Sequence, residues 1–307
     1  LAGVPWLAEG AGRDLYAVGG AWRALARIHI AQTGYPLNMV HHYTISRDEA
    51  RDLTSVIAGA SRRALERMPG VPRRRVEEMP FAAVALRRVL RATGARRVVF
   101  SANGLREGWY MERMTAEMRA RDPLLSAGQE LAERLGRDPT LPPALLAWTD
   151  PLFVDEPAAH RRLREAACWM SDIGSHDHPE YRAEQAYLRI LRQPGIGLDH
   201  LARAFLALTL ALRYEAEPDA PFLSTARMLL GPEDTRRATI LGVALRLAYT
   251  LSAGTPDLLA GTRLAVDHAL TLHLAEGGGV FAGESVTRRL DRLAVALGLD
   301  AATKLAA

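Results

Sequence analysis

Gly19 and Gly20 stand between a short apolar run and a helical pattern, in the sequence YAVGGAWRALARI. The first turn of a helix exposes unpaired backbone N–H groups and the positive end of the helix dipole, so backbone alone can bind a phosphate there. Glycine has no side chain to keep an anion away from that backbone. The glycine pair therefore indicates either an anion site or a tight turn without a ligand.

A second turn of the same kind occurs in SANGLREG, after the apolar run RRVVF. It contains Ser101 and Gly104, and Arg106 follows at the predicted start of the next helix, where its guanidinium could contact the same anion. If both turns end strands of one sheet, they face one cleft.

Hydrophobic periodicity predicts the elements that would position these turns. Residues 14–18 predict a buried strand and residues 21–31 a helix. The same order returns in ARRVVFS, a predicted strand, and in a helix that runs to about residue 120. Strand, glycine turn and helix in this order are typical of α/β sheets whose ligands bind at the carboxyl ends of the strands.

Further helices are predicted between the two turns and after them. Ser46 and Glu49 form a capping-box pattern for a helix over residues 47–68, and apolar positions in FAAVALRRVLRA predict a helix over residues 81–92. From the segment DPLL to about residue 250 nearly the whole chain has helical periodicity. Near the C-terminus, RLAVDHALTLHL predicts a hairpin and ESVTRRLDRLAVALGL a last helix.

The composition predicts a soluble protein of about two domains, because the chain has 307 residues, of which 49% are hydrophobic, and no apolar run of the roughly 20 residues that span a membrane. The net charge of +4 depends on arginine, since Lys304 is the only lysine. Arginine suits phosphate and carboxylate oxygens, although biased coding would give the same composition. Cys168 is the single cysteine; its apolar surroundings predict a core position, and a reducing compartment fits.

Three segments carry a resemblance to a known family: VGGAWRALARI, RRRVEEMPFAAVALRRVL and VVFSANGLREGWYMERM. In this order and spacing they resemble the second half of the exopolyphosphatase and guanosine pentaphosphate phosphatase (Ppx/GppA) family, of the actin, sugar kinase and heat-shock ATPase (ASKHA, ribonuclease H-like) superfamily. AACWMSDIG, EYRAEQAYLRIL and GLDHLARAFLALTLALRY resemble the HD-like region of the same proteins. The resemblance implies an α/β segment of an actin-like subdomain over residues 1–124 and a mainly α-helical, degenerate HD-like domain with a small hairpin over residues 125–307.

The resemblance also implies an activity, the Mg²⁺-dependent hydrolysis of a terminal phosphoanhydride bond in inorganic polyphosphate or guanosine pentaphosphate. A solvated charged face would equally explain the arginines at 73–75, and an ion pair that fixes the turn would explain Arg106 with Glu107. By position, the residues that match substrate-binding segments of the family are Gly19, Gly20, Arg23, Arg74, Arg75, Ser101, Gly104, Arg106 and Glu107.

The phosphate loops and the catalytic glutamate of the family lie in its N-terminal half, and no such loop occurs between Leu1 and Ala307. We therefore expect the natural protein to extend further towards its N-terminus, with the catalytic residues and Mg²⁺ ligands outside this chain, and this chain to be inactive alone. The resemblance implies a cytoplasmic homodimer that binds polyphosphate or guanosine pentaphosphate. We expect neither nucleic acid nor a membrane as a partner.

Two other functions remain compatible with the sequence. One is a non-catalytic binding or dimerisation module. The other is an HD-type metal phosphohydrolase, because histidine and carboxylate together bind transition metals. Such a site requires an adjacent His-Asp pair, and the resemblance places Ser171 and Asp172 there, so a polar loop is the better account. The candidate ligands would be Asp172, His176 and His178, with His160 nearby.

His41 and His42 form a separate pair just before the predicted helix over residues 47–68. Neighbouring histidines can bind a ligand or a metal ion. We expect this pair instead to line a loop or a subunit contact.

Overall fold

The computed structural model describes residues 3–194, 197–275 and 283–305. The chain divides into two compact units, Leu1–Ala120 and Arg121–Ala307. The first is an α/β unit and the second is mainly helical.

A sheet at the centre of the first unit contains strands β1 (Asp14–Val18), β2 (Tyr43–Ser46) and β3 (Arg97–Ser101) in the order β1-β3-β2. Strands β1 and β3 are parallel, whereas β2 is antiparallel to β3. β1 and β3 are confirmed as strands, but the predicted burial of β1 is wrong, because Tyr16 and Val18 are exposed and only Ala17 is buried. The sequence does not predict β2, because only Tyr43 and Ile45 are apolar in it and so short an alternation is a weak signal.

Helices α1 (Gly20–Thr33), α2 (Arg47–Gly59) and α4 (Met79–Thr93) contact this sheet or one another and enclose the core of the unit. Leu25, Ile57 and Leu86 are fully buried in it. Burying one such side chain contributes about 1.5–3 kcal/mol. The helices of the unit are α1 (Gly20–Thr33), α2 (Arg47–Gly59), α3 (Arg62–Arg67), α4 (Met79–Thr93), α5 (Leu105–Arg113) and α6 (Ala116–Ala120), with 3₁₀ helices at Pro5–Gly10 and Arg73–Glu78.

Capping residues set the ends of these helices. The predicted capping box is confirmed: Glu49 N donates to Ser46 Oγ, and Ser46 N donates to Glu49 Oε2 at 2.7 Å. The continuous helices predicted over 47–68 and to about residue 120 are wrong, because each is divided in two. Ser61 and Thr115 accept hydrogen bonds from backbone N–H groups three residues later and begin new helices there.

The second unit confirms the predicted run of helices. At its centre α11 (His200–Arg213) packs against α13 (Pro232–Ser252), and both helices are buried over most of their length. Its helices are α7 (Pro123–Leu135), α8 (Leu141–Thr149), α9 (Ala158–Met170), α10 (Arg182–Arg192), α11 (His200–Arg213), α12 (Ser224–Leu229), α13 (Pro232–Ser252), α14 (Pro256–Ala260) and α15 (Glu284–Leu297), with 3₁₀ helices at Asp150–Leu152 and Pro221–Leu223.

The helical unit also contains a three-stranded sheet. Strands β4 (Thr262–Val266) and β5 (Ala269–Leu274) form the predicted antiparallel hairpin. Strand β6 (Asp300–Leu305) pairs in parallel with β5, an addition that the sequence does not predict. The segment DAATKL lacks the apolar alternation that marks β5, so only its pairing identifies it as a strand.

Two predictions from composition concern buried and membrane-spanning segments. Cys168 is 1% exposed, which confirms its core position, and burial raises the pKa of its thiol to about 12. Within the residues that the structure describes, no helix combines the length and the apolar character required to cross a membrane.

Candidate functional site

The two glycine turns lie side by side at one edge of the first sheet. Val18 and Ser101 are the last residues of β1 and β3, and they are register partners in this parallel pair. The chain leaves both strands in the same direction, so the turns at 19–20 and 102–104 are neighbours. This is the carboxyl edge, where open α/β sheets bind their ligands.

The first turn has a backbone conformation that favours glycine. Gly19 has φ 116° and ψ 157° and occupies the N-cap position of α1. No side chain caps this helix, so its first N–H groups are available to an external acceptor. With 14 residues, α1 also presents the positive end of a sizeable helix dipole there.

Arg23 connects the two turns. Its Nη1 atom donates to the carbonyl oxygen of Ala102 at 2.8 Å, across 79 positions of sequence. This contact holds the turn after β3 against the first turn of α1. It also places a guanidinium beside both turns.

The Arg75 side chain lies against Gly20, the second glycine of the first turn. A Cβ atom on Gly20 would be 2.7 Å from Arg75 Nη2, so the guanidinium packs directly on that residue. Arg75 Nη1 donates to Glu78 Oε2 at 2.7 Å, which fixes the side chain within the 3₁₀ helix Arg73–Glu78. Arg74 in the same 3₁₀ helix is exposed and makes none of the contacts described here.

The second turn is built by its own polar groups. Ser101 Oγ accepts from Asn103 N at 3.1 Å, and Glu107 Oε2 accepts from Gly104 N at 2.6 Å. The hydrogen bond from Gly104 N lowers the pKa of Glu107 below its ordinary value. Glu107 is therefore an ionised cap of α5. Arg106 is exposed, with Nε at 3.5 Å from Glu107 Oε1.

His41 is a contact of the second turn that sequence reasoning missed. Ala102 N donates to His41 Nδ1 at 3.2 Å, and the neighbouring His42 N donates to Phe100 O at 2.8 Å. His42 has φ 61°, an uncommon left-handed conformation for a residue other than glycine. The only signal in the sequence was the pairing of two histidines before a helix.

Most of the residues singled out from the sequence thus come together. We call them the turn site. Arg74 and Arg106, both exposed, lie outside this definition. The turn site consists of Gly19, Gly20, Arg23, Arg75, Ser101, Gly104 and Glu107.

The donors of the turn site do not fit a Mg²⁺ ion. Mg²⁺ requires carboxylate or other oxygen ligands in octahedral geometry. Glu107 is occupied by Gly104 N and Arg106, and the nearby Glu78 is paired with Arg75. Throughout the described part of the chain, no group of three His, Cys, Asp or Glu side chains could hold a metal ion. What these residues offer is N–H groups and guanidinium groups, which bind anions.

Asp172, the candidate metal ligand of the second unit, is bound by two arginines. Arg137 donates to it from its backbone N at 3.0 Å, from Nε at 2.9 Å and from Nη2 at 3.0 Å. Arg213 Nη2 donates to Asp172 Oδ1 at 3.1 Å. His176 and His178 are exposed on the following loop. The Asp172 carboxylate therefore forms buried ion pairs with Arg137 and Arg213.

Comparisons with known proteins match both units. The Ppx/GppA phosphatase family matches residues 11–117, and the family described as exopolyphosphatase, C-terminal, matches residues 124–303. The chain is also 26% identical over 216 residues to "Retrograde regulation protein 2" of Saccharomyces cerevisiae. That alignment covers 66% of this chain and 36% of the yeast protein, so the chain spans little more than a third of the length of this relative.

Proposed function

Since the chain belongs to the Ppx/GppA phosphatase family, we propose that its turn site binds the phosphate chain of inorganic polyphosphate or guanosine pentaphosphate in a phosphohydrolase that releases the terminal phosphate. The observation that carries this proposal is the uncapped N-terminus of α1 beside Arg75. Uncapped N–H groups and a guanidinium on one glycine turn form a binding site for a phosphate oxygen.

The two arginines have different tasks in this proposal. Arg75 uses Nη1 for Glu78 and keeps Nη2 near Gly20, where a phosphate oxygen on the first turn of α1 would reach it. Arg23 holds the second turn through Ala102 O and adds positive charge. Glu107 caps α5, so it is not proposed as a base.

The actin-like character of the first unit and the magnesium dependence belong to the proposal as well. A phosphoryl transfer needs a group that positions the attacking water and a metal ion that offsets the phosphate charge. The resemblance assigns both to the N-terminal half of the family. In this chain we assign the turn site to binding and orientation alone.

Titration of the chain with tripolyphosphate tests the binding role. Arg75→Gln should weaken binding about tenfold, as expected for one lost charge-assisted hydrogen bond of about 1.5 kcal/mol. Arg88→Gln is the matched control, because Arg88 is exposed on α4 and its replacement removes the same charge. Equal affinities of the two variants would contradict the proposal.

A non-catalytic binding module is the second candidate function. The relative in Saccharomyces cerevisiae carries the name of a regulation protein, and the Glu107 carboxylate is occupied as a helix cap. Phosphate release separates the two candidates only in a protein that also carries the N-terminal half of the family, because both candidates predict no release by this chain alone. Binding of tripolyphosphate without release of phosphate by that longer protein, in the presence of Mg²⁺, would favour the binding module.

A further inference from the structure

A cavity of about 200 Å³ lies in the helical unit, where the end of α11 meets α13 and α15. Its lining combines apolar and cationic side chains. Leu212, Ala216, Pro218, Val243, Val295 and Ala296 form its apolar part. The cationic part consists of Arg246 of α13 and of Arg289 and Arg292 of α15.

The charges of this lining do not balance. Glu215 is the one acidic residue in the lining; it accepts from Arg246 Nη2 at 2.7 Å and from Arg289 Nη2 at 3.0 Å. Arg292 makes no ion pair with any described residue. Three guanidinium groups against one carboxylate leave two positive charges around an apolar space.

Two of the arginines also have unused donors. The Nε atoms of Arg246 and Arg289 are buried and have no hydrogen-bond partner among the described residues. The two side chains are only 17% and 11% exposed. A buried donor without an acceptor is costly, so both arginines keep positive charge beside the cavity that is only partly compensated.

The backbone conformation at Glu215 limits how far its carboxylate can move towards the three arginines of the lining. It follows α11 and has φ 64°, a left-handed conformation that favours glycine at helix ends. Ala216 N donates to Ala211 O at 3.0 Å and fixes this turn. The carboxylate is therefore held between Arg246 and Arg289, whereas Arg292 acts on it only through its charge and forms no ion pair with it.

We propose that this cavity binds a small organic anion with an apolar body. Its carboxylate or phosphate group faces Arg292, Arg246 and Arg289, and its hydrocarbon part lies against Val243 and Leu212. Polyphosphate fits the cavity poorly, since a chain charged along its whole length gains nothing from an apolar wall. The cavity is smaller than the roughly 300–1,000 Å³ usual for drug-sized ligands, so the ligand is short.

Calorimetric titration of the whole chain with four probes tests this site. The probes are hexyl phosphate, hexanoate, hexanol and inorganic phosphate. Hexyl phosphate or hexanoate should bind at least about tenfold more tightly than hexanol or inorganic phosphate, and the tighter of the two identifies the head group. No binding of either amphiphile would overturn the proposal, as would equal binding of hexanol. Because the turn site is also proposed to bind phosphate, inorganic phosphate is titrated into the Arg75→Gln variant, and binding there equal to that of the amphiphiles would likewise overturn the proposal.

Two variants test whether the amphiphile binds in this cavity. Arg292→Gln should weaken the amphiphile about tenfold, and Val243→Phe should abolish binding by filling the space. Arg288→Gln is the control, because Arg288 is exposed on the same helix and does not line the cavity. If Val243→Phe fails to fold, Arg292→Gln still decides, since Arg292 is exposed. Unchanged affinity in Arg292→Gln overturns the proposal.

Discussion

Arg75 packs on Gly20 so closely that its Nη2 atom is 2.7 Å from the position that a Cβ atom on Gly20 would take. Cβ atoms do not approach other heavy atoms to this distance, so a side chain at position 20 would displace the guanidinium, which is the flexible end of Arg75. Because Gly20 has no side chain, the positively charged Arg75 guanidinium can lie next to the first turn of α1. This relationship brings uncapped N–H groups and a guanidinium together at the position where we propose that the phosphate binds.

We expect Gly20→Ala to weaken tripolyphosphate binding about tenfold. The added methyl group displaces the Arg75 guanidinium, and the anion loses one charge-assisted hydrogen bond. Calorimetric titration measures the affinity, and circular dichroism checks that the variant is folded.

The control for this variant is Gly59→Ala. Gly59 ends α2, and a Cβ atom there meets no heavy atom within 4 Å. Its affinity for tripolyphosphate should equal that of the unchanged chain. If Gly20→Ala also binds with unchanged affinity, then Arg75 takes no part in binding the anion.

The fold could be predicted from the sequence where local patterns decide it. The apolar runs of β1 and β3 and the period of α4 are local signals, and the structure has all three. Strands β2 and β6 depend on partners: β2 pairs with β3, and β6 pairs with β5. A short segment without clear alternation is identified as a strand only by that pairing.

The same distinction applies to the candidate site: local patterns predict some of its features, and others depend on contacts between distant residues. Gly19 directly follows one predicted strand and Gly104 lies in the turn after another, and this order along the chain indicates an edge of a sheet. The contact of Arg75 with Gly20 joins distant segments, and it was not predicted; the resemblance indicated only that Arg74 and Arg75 match a substrate-binding segment. The hydrogen bond from Ala102 N to His41 joins residues 61 positions apart, and no local pattern predicts it.

Asp14 provides a prediction about stability and pH. Arg97 donates to both of its oxygens, at 2.7 and 2.8 Å, and with Arg96 lowers the pKa of Asp14 from 3.8 to about 2. A carboxylate with a lowered pKa stabilises the fold above its ordinary pKa, and this contribution is lost as the pH falls from about 4 towards 2.

Asp14→Asn should therefore lower the free energy of unfolding by about 1 kcal/mol at neutral pH. The difference from the unchanged chain should shrink below about pH 4, because the native carboxyl then becomes protonated too. Urea unfolding at several pH values measures both effects. Glu112→Gln, at an exposed residue of α5, is the control and should show no such trend. A difference that is constant with pH would exclude this role of the ion pairs.

Asp172 should matter for stability rather than for metal binding. Asp172→Ala leaves Arg213, whose side chain is 3% exposed, as a buried cation without its carboxylate. Loss of one partner from a buried ion pair costs about 3–5 kcal/mol. Asp291→Ala, at an exposed residue of α15, should cost little. A metal site would instead make stability sensitive to a chelator, so a chelator that lowers the melting temperature of the unchanged chain would contradict this account.

Replacement of Gly242 by alanine tests how closely α11 and α13 must pack. A Cβ atom there would be 2.7 Å from Thr209 O and 2.8 Å from Leu212 Cβ, so Gly242→Ala must push the two helices apart. Overpacking of this kind costs about 1–3 kcal/mol, and urea unfolding measures the loss. Gly231→Ala is the matched control: Gly231 is the N-cap of the same helix, has φ −72° and faces open space. Its replacement should cost less than about 1 kcal/mol. Equal losses in the two variants would mean that the helices can separate here without cost, and that glycine is not required at position 242.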